Sequence, residues 1–260
     1  MSERTRVRLE EHGQVRLLVL DRVDALNAMD RAMLAELADV LAAVEADREV
    51  RALVVTGSGR AFCAGADIAE DNPLSLGVDD AWTVAAHRVV MGLHRLRVPT
   101  VAAINGLATG AGLDLALACD TRLAAAGTWV AEGYVDIGYS PDAGATYLLP
   151  RLVGPSRAAE MILTGRRVPA ETAAQWGLVS EVVAPDELLE RALGLAAQMA
   201  AKPPVAVELA KRLLATNTGA TLEEALRNEL VAGRVCGATA DHAEAVRAWG
   251  ERRDPVFEGR

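Results

Sequence analysis

The stretch Pro99–Asp120 reads PTVAAINGLATGAGLDLALACD, and its character changes twice. Thr100-Val-Ala-Ala-Ile104 is an almost continuous apolar run, the pattern of a strand covered on both faces. Asn105-Gly106 interrupts it, and Thr109-Gly110-Ala111-Gly112 makes a turn of small residues. From Leu113 to Cys119 the chain reads as helix. A buried strand, a small-residue turn and a helix are the local signature of an α/β fold, in which ligands bind beyond the ends of the strands.

Upstream, Val15–Leu20 and Ala52–Thr56 repeat the strand signal, and Met33, Leu37, Val40, Leu41 and Val44 recur between them at helical spacing. A second small-residue stretch, SGRAFCAGADIAE at 58–70, follows the second of these strands. Around Ala64-Gly65-Ala66 it carries no bulky core side chain, no metal-ligand spacing and no charge cluster, so its asset is bare backbone open to close approach. Neither glycine set has the spacing of a dinucleotide fingerprint. The only lysines, Lys202 and Lys211, stand in no phosphate-binding loop.

Downstream, Tyr139-Ser140-Pro141-Asp142 reads as a helix start, with Ser140 as N-cap and Pro141 in the first helical position. A helix over about 156–163 ends at Gly165, and another after Pro169 ends at Gly177. From about Asp186 onward the pattern is helical throughout. Leu189, Leu193 and Ala197 share one face, as do Leu222, Leu226 and Leu230, and Asp241 with Glu244 resembles a capping box ahead of Val246 and Trp249. Lys202-Pro203-Pro204 marks the one candidate boundary, between an α/β core over 1–200 and a helical region over 201–260.

Composition narrows the function classes. Of the 260 residues, 51% are hydrophobic, which argues for a packed core rather than disorder. No apolar run approaches the roughly eighteen residues of a membrane span, and the polar start MSERTRVRLEEHGQ does not resemble a signal peptide. A net charge of -9 without a basic stripe argues against nucleic-acid binding. Three scattered cysteines form no metal or disulfide pattern, and Cys63 and Cys119 read as small buried hydrophobes. The expectation is a cytoplasmic protein with reduced thiols, no metal and no redox cofactor.

The two small-residue turns can present unpaired backbone N–H groups. If they converge they form an oxyanion hole, in which large side chains would block a substrate carbonyl. Two tight turns packed against their neighbours would leave the same sequence pattern.

Together, Asn27-Ala28-Met29, AFCAGADI at 61–68, the Pro99–Asp120 stretch, GYSPDAGATYLLPRLVG at 138–154, LTGRRVPAETAAQWGLVSEVV and the ending ERRDPVF resemble the crotonase superfamily, the enoyl-CoA hydratase/isomerase family, over essentially the whole chain. The resemblance implies a spiral of ββα units, a helical C-terminal trimerisation region, a trimer or hexamer, and an acyl-CoA thioester as substrate, with coenzyme A present only as part of that substrate. It places the oxyanion amides on Ala66 and Ala111, with Gly110-Ala111-Gly112 where many members have three glycines. It places coenzyme A contacts on Val23, Asp24, Ala25, Leu26, Ala64, Asp67 and Ile68, and on Phe257 supplied by a neighbouring subunit.

Hydratases of this family carry two glutamates, at positions held here by Asp114 and Tyr134. Some isomerases and aryl-CoA dehalogenases place another acid where this chain has Asp142. The resemblance therefore favours an isomerase in which Asp114 and Asp142 move protons across the acyl chain. Hydration using Asp114 and Glu132 is the alternative. Aryl-CoA dehalogenation with Asp142 and His87, and a catalytically degenerate acyl-CoA binder, stand behind it. The bland roles are a solvated Asp114, a helix-stabilising Asp142, an Asp67 that fixes its turn locally, a packing Tyr134 that shapes the acyl pocket, and His87 and His94 as surface or packing residues. The segment from Leu74 to Met91, expected to line the acyl pocket, shows no clear pattern.

Overall fold

The computed structural model describes residues 5–68 and 80–260. Its larger sheet has six strands in the order β1 (Val7–His12), β2 (Val15–Leu20), β3 (Ala52–Gly57), β5 (Thr100–Ile104), β7 (Thr121–Ala125) and β10 (Glu181–Val183). Only β1 is antiparallel to its neighbour. The smaller sheet runs β4 (Ala61–Cys63), β6 (Leu107–Thr109), β8 (Trp129–Ala131) and β9 (Val168–Pro169), with only β9 antiparallel. Ten α-helices complete the described residues: α1 (Arg31–Ala46), α2 (Asp80–Arg95), α3 (Ala111–Leu117), α4 (Ala145–Val153), α5 (Pro155–Thr164), α6 (Ala170–Gln175), α7 (Leu188–Ala200), α8 (Pro204–Asn217), α9 (Leu222–Gly237) and α10 (Ala240–Glu251).

The units β3–β4–α2, β5–β6–α3 and β7–β8–α4 repeat one plan. The first strand of each joins the large sheet and the second joins the small one. This is the α/β spiral of ββα units, followed by a helical C-terminal region. Every residue of β2 and β5 is buried, as their unbroken apolar sequences demand. One face of the large sheet packs on α1 and α2, the other on Leu188, Ala192, Ala196 and Ala200 of α7. Alanine at those three α7 positions lets helix and sheet approach closely where the chain has few aromatics to fill space.

Several local readings require correction. No helix begins at Ser140-Pro141: α4 starts at Ala145 behind Gly144, which has φ +113. Asp142 explains why, because its carboxylate and carbonyl are both held by α2, which keeps the segment from coiling. In α7 the buried stripe begins at Leu188, and Leu189 is exposed. The cap of α10 is Thr239, whose side chain accepts from His242 N–H. The Asp241 carboxylate instead accepts from the Glu258 and Gly259 N–H groups. A full capping box stands at Thr221 and Glu224, in front of α9. The face carrying Leu222, Leu226 and Leu230 is exposed, and so is Trp249, at 85%. The helix α3 begins at Ala111, two residues ahead of Leu113. Part of the Leu74–Met91 segment is the regular helix α2, and 74–79 lie outside the described residues.

Asn27 anchors the loop that leads to the site. Its Nδ2 donates to the carbonyls of Ser58, Ala61 and Phe62 at 3.0, 2.9 and 3.2 Å, and its Oδ1 accepts from Arg22 N–H at 2.9 Å. It is fully buried at φ +58, a conformation that asparagine tolerates better than most residues. Asn27→Ala strands these groups and is expected to lower unfolding stability by about 2–3 kcal/mol. The check is a urea titration, in which the midpoint should fall at unchanged slope.

Candidate active site

Two turns meet at the ends of β4 and β6. A Cβ on Gly112 would lie 2.3 Å from the Cys63 carbonyl oxygen. One on Gly65, at φ +94, would lie 2.8 Å from the Thr109 carbonyl oxygen and 3.5 Å from the Ala111 nitrogen. Only glycine permits this approach at either position. Met29 and Ala66 form a parallel bridge in which Met29 N–H donates to Gly65 O and Asp67 N–H donates to Met29 O. That pattern turns the Ala66 N–H away from Met29. Ala111 is the first residue of α3, so its N–H has no acceptor within the helix. The sequence-derived pair of amides thus comes from two touching turns.

Behind the Ala111 turn, Asp114 stands in the first turn of α3, every residue of which is buried, and is itself fully buried. The Tyr134 hydroxyl donates to its Oδ2 at 2.5 Å, and its Oδ1 has no hydrogen-bond partner among the described residues. Burial pushes the Asp114 carboxyl up to about 7; the Tyr134 hydrogen bond opposes this and the Asp142 charge adds to it. Glu132, just past β8, is also fully buried, and neither carboxyl oxygen has a partner among the described residues. Burial, and then the charge of Asp114, hold its carboxyl well above the usual range. Tyr134 is likewise shifted upward, first by burial and then by Asp114.

Asp142 approaches from the loop before α4. Its Oδ2 accepts from the Thr83 hydroxyl at 3.1 Å, and its carbonyl takes the His87 Nε2 at 2.6 Å. Its pKa is raised by burial, against the opposing hydrogen bond from Thr83 and the His87 charge. Asp114, Glu132, Tyr134 and Asp142 therefore form one electrostatically connected group, with His87 at its edge. Thr83 was missing from the sequence reading. Its one signal is that Thr83 and His87 are four residues apart on α2 and so share a face.

The segment Val23–Ala25 is a single 3-10 turn, and Leu26 accepts a bond from Ala64 N–H at 3.0 Å, so the 23–26 and 64–68 segments lie side by side. Val23, Asp24 and Ala25 line an open cleft of about 350 Å³ together with Arg6 and Arg22. Ile68 is exposed. Asp67 is held over a long sequence distance by Arg22 Nη2 at 2.9 Å. The Phe257 carbonyl accepts from Arg51 Nη2 at 2.9 Å, beside the start of β3. Within one chain Phe257 is therefore at the opposite end of that strand from the cleft. Cys63 and Cys119 are buried, and burial pushes both thiols up to about 12. Among the described residues no cluster of His, Cys, Asp and Glu is arranged to hold a metal ion, and no helix is long and apolar enough to cross a membrane.

Paired small-residue turns above a buried carboxyl cluster define a class of enzyme, and comparison with known proteins agrees. Residues 10–260 match the enoyl-CoA hydratase/isomerase family. The chain is 34% identical to the short-chain-enoyl-CoA hydratase of Clostridium acetobutylicum, covering 96% of this chain and 97% of that one. It is 36% identical to the 1,2-epoxyphenylacetyl-CoA isomerase of Escherichia coli, covering 95% of each. The crystal structure of an enoyl-CoA hydratase from Bacillus anthracis superposes with a TM-score of 0.94 at 33% identity, covering 98% of this chain and all of that one. The chain belongs to the enoyl-CoA hydratase/isomerase family, the crotonase superfamily, and is an acyl-CoA enzyme of that family.

The Asp114 pKa has a consequence for stability. Its folded value of about 7 lies above an ordinary carboxylate's, so the folded state holds the proton more tightly than the unfolded one. The contribution is most favourable at acid pH and is lost as pH rises from about 4 through about 7. Asp114→Asn is expected to gain on the wild type as pH rises over that window, by a few kcal/mol at most. Denaturant midpoints at pH 5 and pH 8 provide the check; an Asn gain that is equal at both would contradict the assignment.

Proposed function

We propose that the enzyme shifts a carbon–carbon double bond along an enoyl-CoA thioester. The Ala66 and Ala111 N–H groups receive the thioester oxygen as it gains negative charge. Asp142, half-buried where Asp114 is fully buried, and bonded by Thr83, takes the proton from the carbon beside the thioester. The C–H electrons pass into the dienolate. Its collapse forms a new C–H bond further along the chain with the proton held by Asp114. The observation that carries this reading is the buried Asp114, whose Oδ2 accepts from the Tyr134 hydroxyl at the position where the family's hydratases have their second glutamate, with Asp142 near enough for its charge to raise the Asp114 carboxyl further.

The nucleotide end of coenzyme A is assigned to the cleft of Val23, Asp24, Ala25 and Leu26, with Ala64, Asp67 and Ile68 beside it. Self-association as a trimer or hexamer through the C-terminal helices would cover the exposed Leu222, Leu226, Leu230 and Trp249, and would bring Phe257 from a neighbouring subunit. A second reading, hydration, is favoured by one observation: Glu132 and Asp114 each keep carboxyl oxygens with no partner among the described residues, which a water could bridge. The relative named for hydration of short-chain enoyl-CoA points the same way.

Turnover of a 3-enoyl-CoA in deuterated, oxygen-18-labelled water, read by mass spectrometry, separates the two. The isomerase reading expects a 2-enoyl product carrying deuterium and no oxygen-18, whereas oxygen-18 in a 3-hydroxyacyl product replaces it with hydration. Asp142→Asn is expected to lower kcat by about 10²–10⁴-fold. The wild-type rate should be bell-shaped in pH, falling on the acid side as Asp142 protonates and above about 7 as Asp114 loses its proton.

A further inference from the structure

On the isomerase reading, on which this inference rests, Asp142 must meet one carbon of an acyl chain whose carbonyl is held at the Ala66 and Ala111 turns. A base is effective only when it is held within a fraction of an ångström of its working position. Yet Asp142 stands on irregular backbone, between the 3-10 turn Val135–Ile137 and the start of α4, close to Gly144 at φ +113. Loop backbone of this kind does not fix a side chain by itself. The hold on Asp142 comes from α2. The Thr83 hydroxyl donates to its Oδ2 at 3.1 Å, and the His87 Nε2–H donates to its backbone carbonyl at 2.6 Å. Four residues apart, the two donors share one face of the helix.

The same helix is tied to the oxyanion side of the site. The Trp82 indole N–H, buried and next in sequence to Thr83, donates to the Met29 carbonyl at 2.9 Å. That carbonyl also accepts from Asp67 N–H at 3.1 Å, and Met29 N–H donates to the Gly65 carbonyl at 2.7 Å, so Met29 grips the backbone on both sides of Ala66. The Ala66 turn and Asp142 are thus the two ends of one connection, which runs through Met29, Trp82 and Thr83. Buried Ala86, Val89 and Leu93 seat the helix in the core.

We infer that Thr83 is a positioning residue, which sets the Asp142 carboxylate at a fixed place relative to the thioester oxygen held at the Ala66 turn. A free carboxylate has two equivalent oxygens, and the Thr83 bond makes them unequal. With Oδ2 engaged by the hydroxyl, the proton from the carbon beside the thioester goes to Oδ1. The C–H bond breaks, an O–H bond forms at Oδ1, and the C–H electrons stay with the dienolate. Thr83 exchanges no proton with substrate in this step and acts only through Asp142.

Thr83→Val removes the hydroxyl and keeps the branched shape, whereas Thr83→Ser keeps the hydroxyl. With a 3-enoyl-CoA as substrate, the valine variant is expected to lose about 10–100-fold in kcat, with KM within about twofold of wild type. The serine variant should stay within about threefold of the wild-type kcat. Loss of a bond that favours the ionised carboxylate should also move the acid limb of the rate profile to higher pH. His87 on α2 and Asp114 on α3, the charged neighbours of Asp142, are left in place by the change. In an Asp142→Asn background, Thr83→Val should cost little further, because no carboxylate remains to be placed. A Thr83 that only packs would give a serine variant as slow as the valine one, or a loss that adds in full to that of Asp142→Asn. Either result overturns the role, and so does a raised KM at unchanged kcat. Should the valine variant fold poorly, Thr83→Ala, which suits a helix best, takes its place against the same serine control. If the wild type shifts no double bond in any 3-enoyl-CoA, the isomerase reading itself has failed and the positioning role falls with it. A double-bond shift that Thr83→Val leaves at full speed rejects the positioning role alone.

Discussion

The contact on which the rest of this structure depends is the approach of the Gly112 backbone to the Cys63 carbonyl, closer than any side chain would allow. It brings the end of β4 against the start of α3, so that the turn at 64–66 and the turn at 109–112 share one cleft. The reciprocal approach of Gly65 to Thr109 closes the same seam from the other side. Both depend on the small sheet, whose strands β4 and β6 are only three residues long and are steadied by the largely buried β3 and fully buried β5 that feed them. The spiral of ββα units works as a device for delivering successive turns to one place.

That geometry has an electrostatic consequence. The helix α3 is buried along its whole length, so a carboxyl in its first turn is denied water. Asp114 thus becomes an acid that still holds its proton near neutrality, and Tyr134 is the neighbour that satisfies one of its oxygens. A second buried carboxyl on Glu132 and a third, half-buried one on Asp142 concentrate negative charge where a stable core would have none. Such an arrangement opposes stability and suits proton transfer, the usual balance at an active site.

The α/β core was legible in the sequence because its signals are local. The runs at 15–20, 52–56 and 100–104 are strands whatever lies beside them, and the small-residue turns that follow carry Gly65 and Gly112, where the backbones approach closely. Ser140-Pro141 misled for a physical reason: cap preference is a local energy of about 1 kcal/mol, and the grip of Thr83 and His87 on Asp142 overrides it. The same holds for Asp241, whose carboxylate is claimed by the C-terminal tail. Leu222, Leu226 and Leu230 were rightly placed on one face, but helical spacing does not say whether such a face meets its own chain, and here it faces outward. Thr83 carried no signal of its own, because its role depends on a segment far along the chain.

The central claim is that a carboxyl at the base of the paired turns keeps its proton near neutral pH. The direct measurement is a carbon-13 NMR titration of protein labelled at the aspartate carboxyl carbons, with Asp114 assigned by its disappearance in Asp114→Asn. The account expects that resonance to move with an apparent midpoint near 7 and the bulk of the aspartates to titrate near 4. An Asp114 resonance that titrates with the bulk would mean that the site holds an ordinary carboxylate, and the proton chemistry built on it would have to be abandoned.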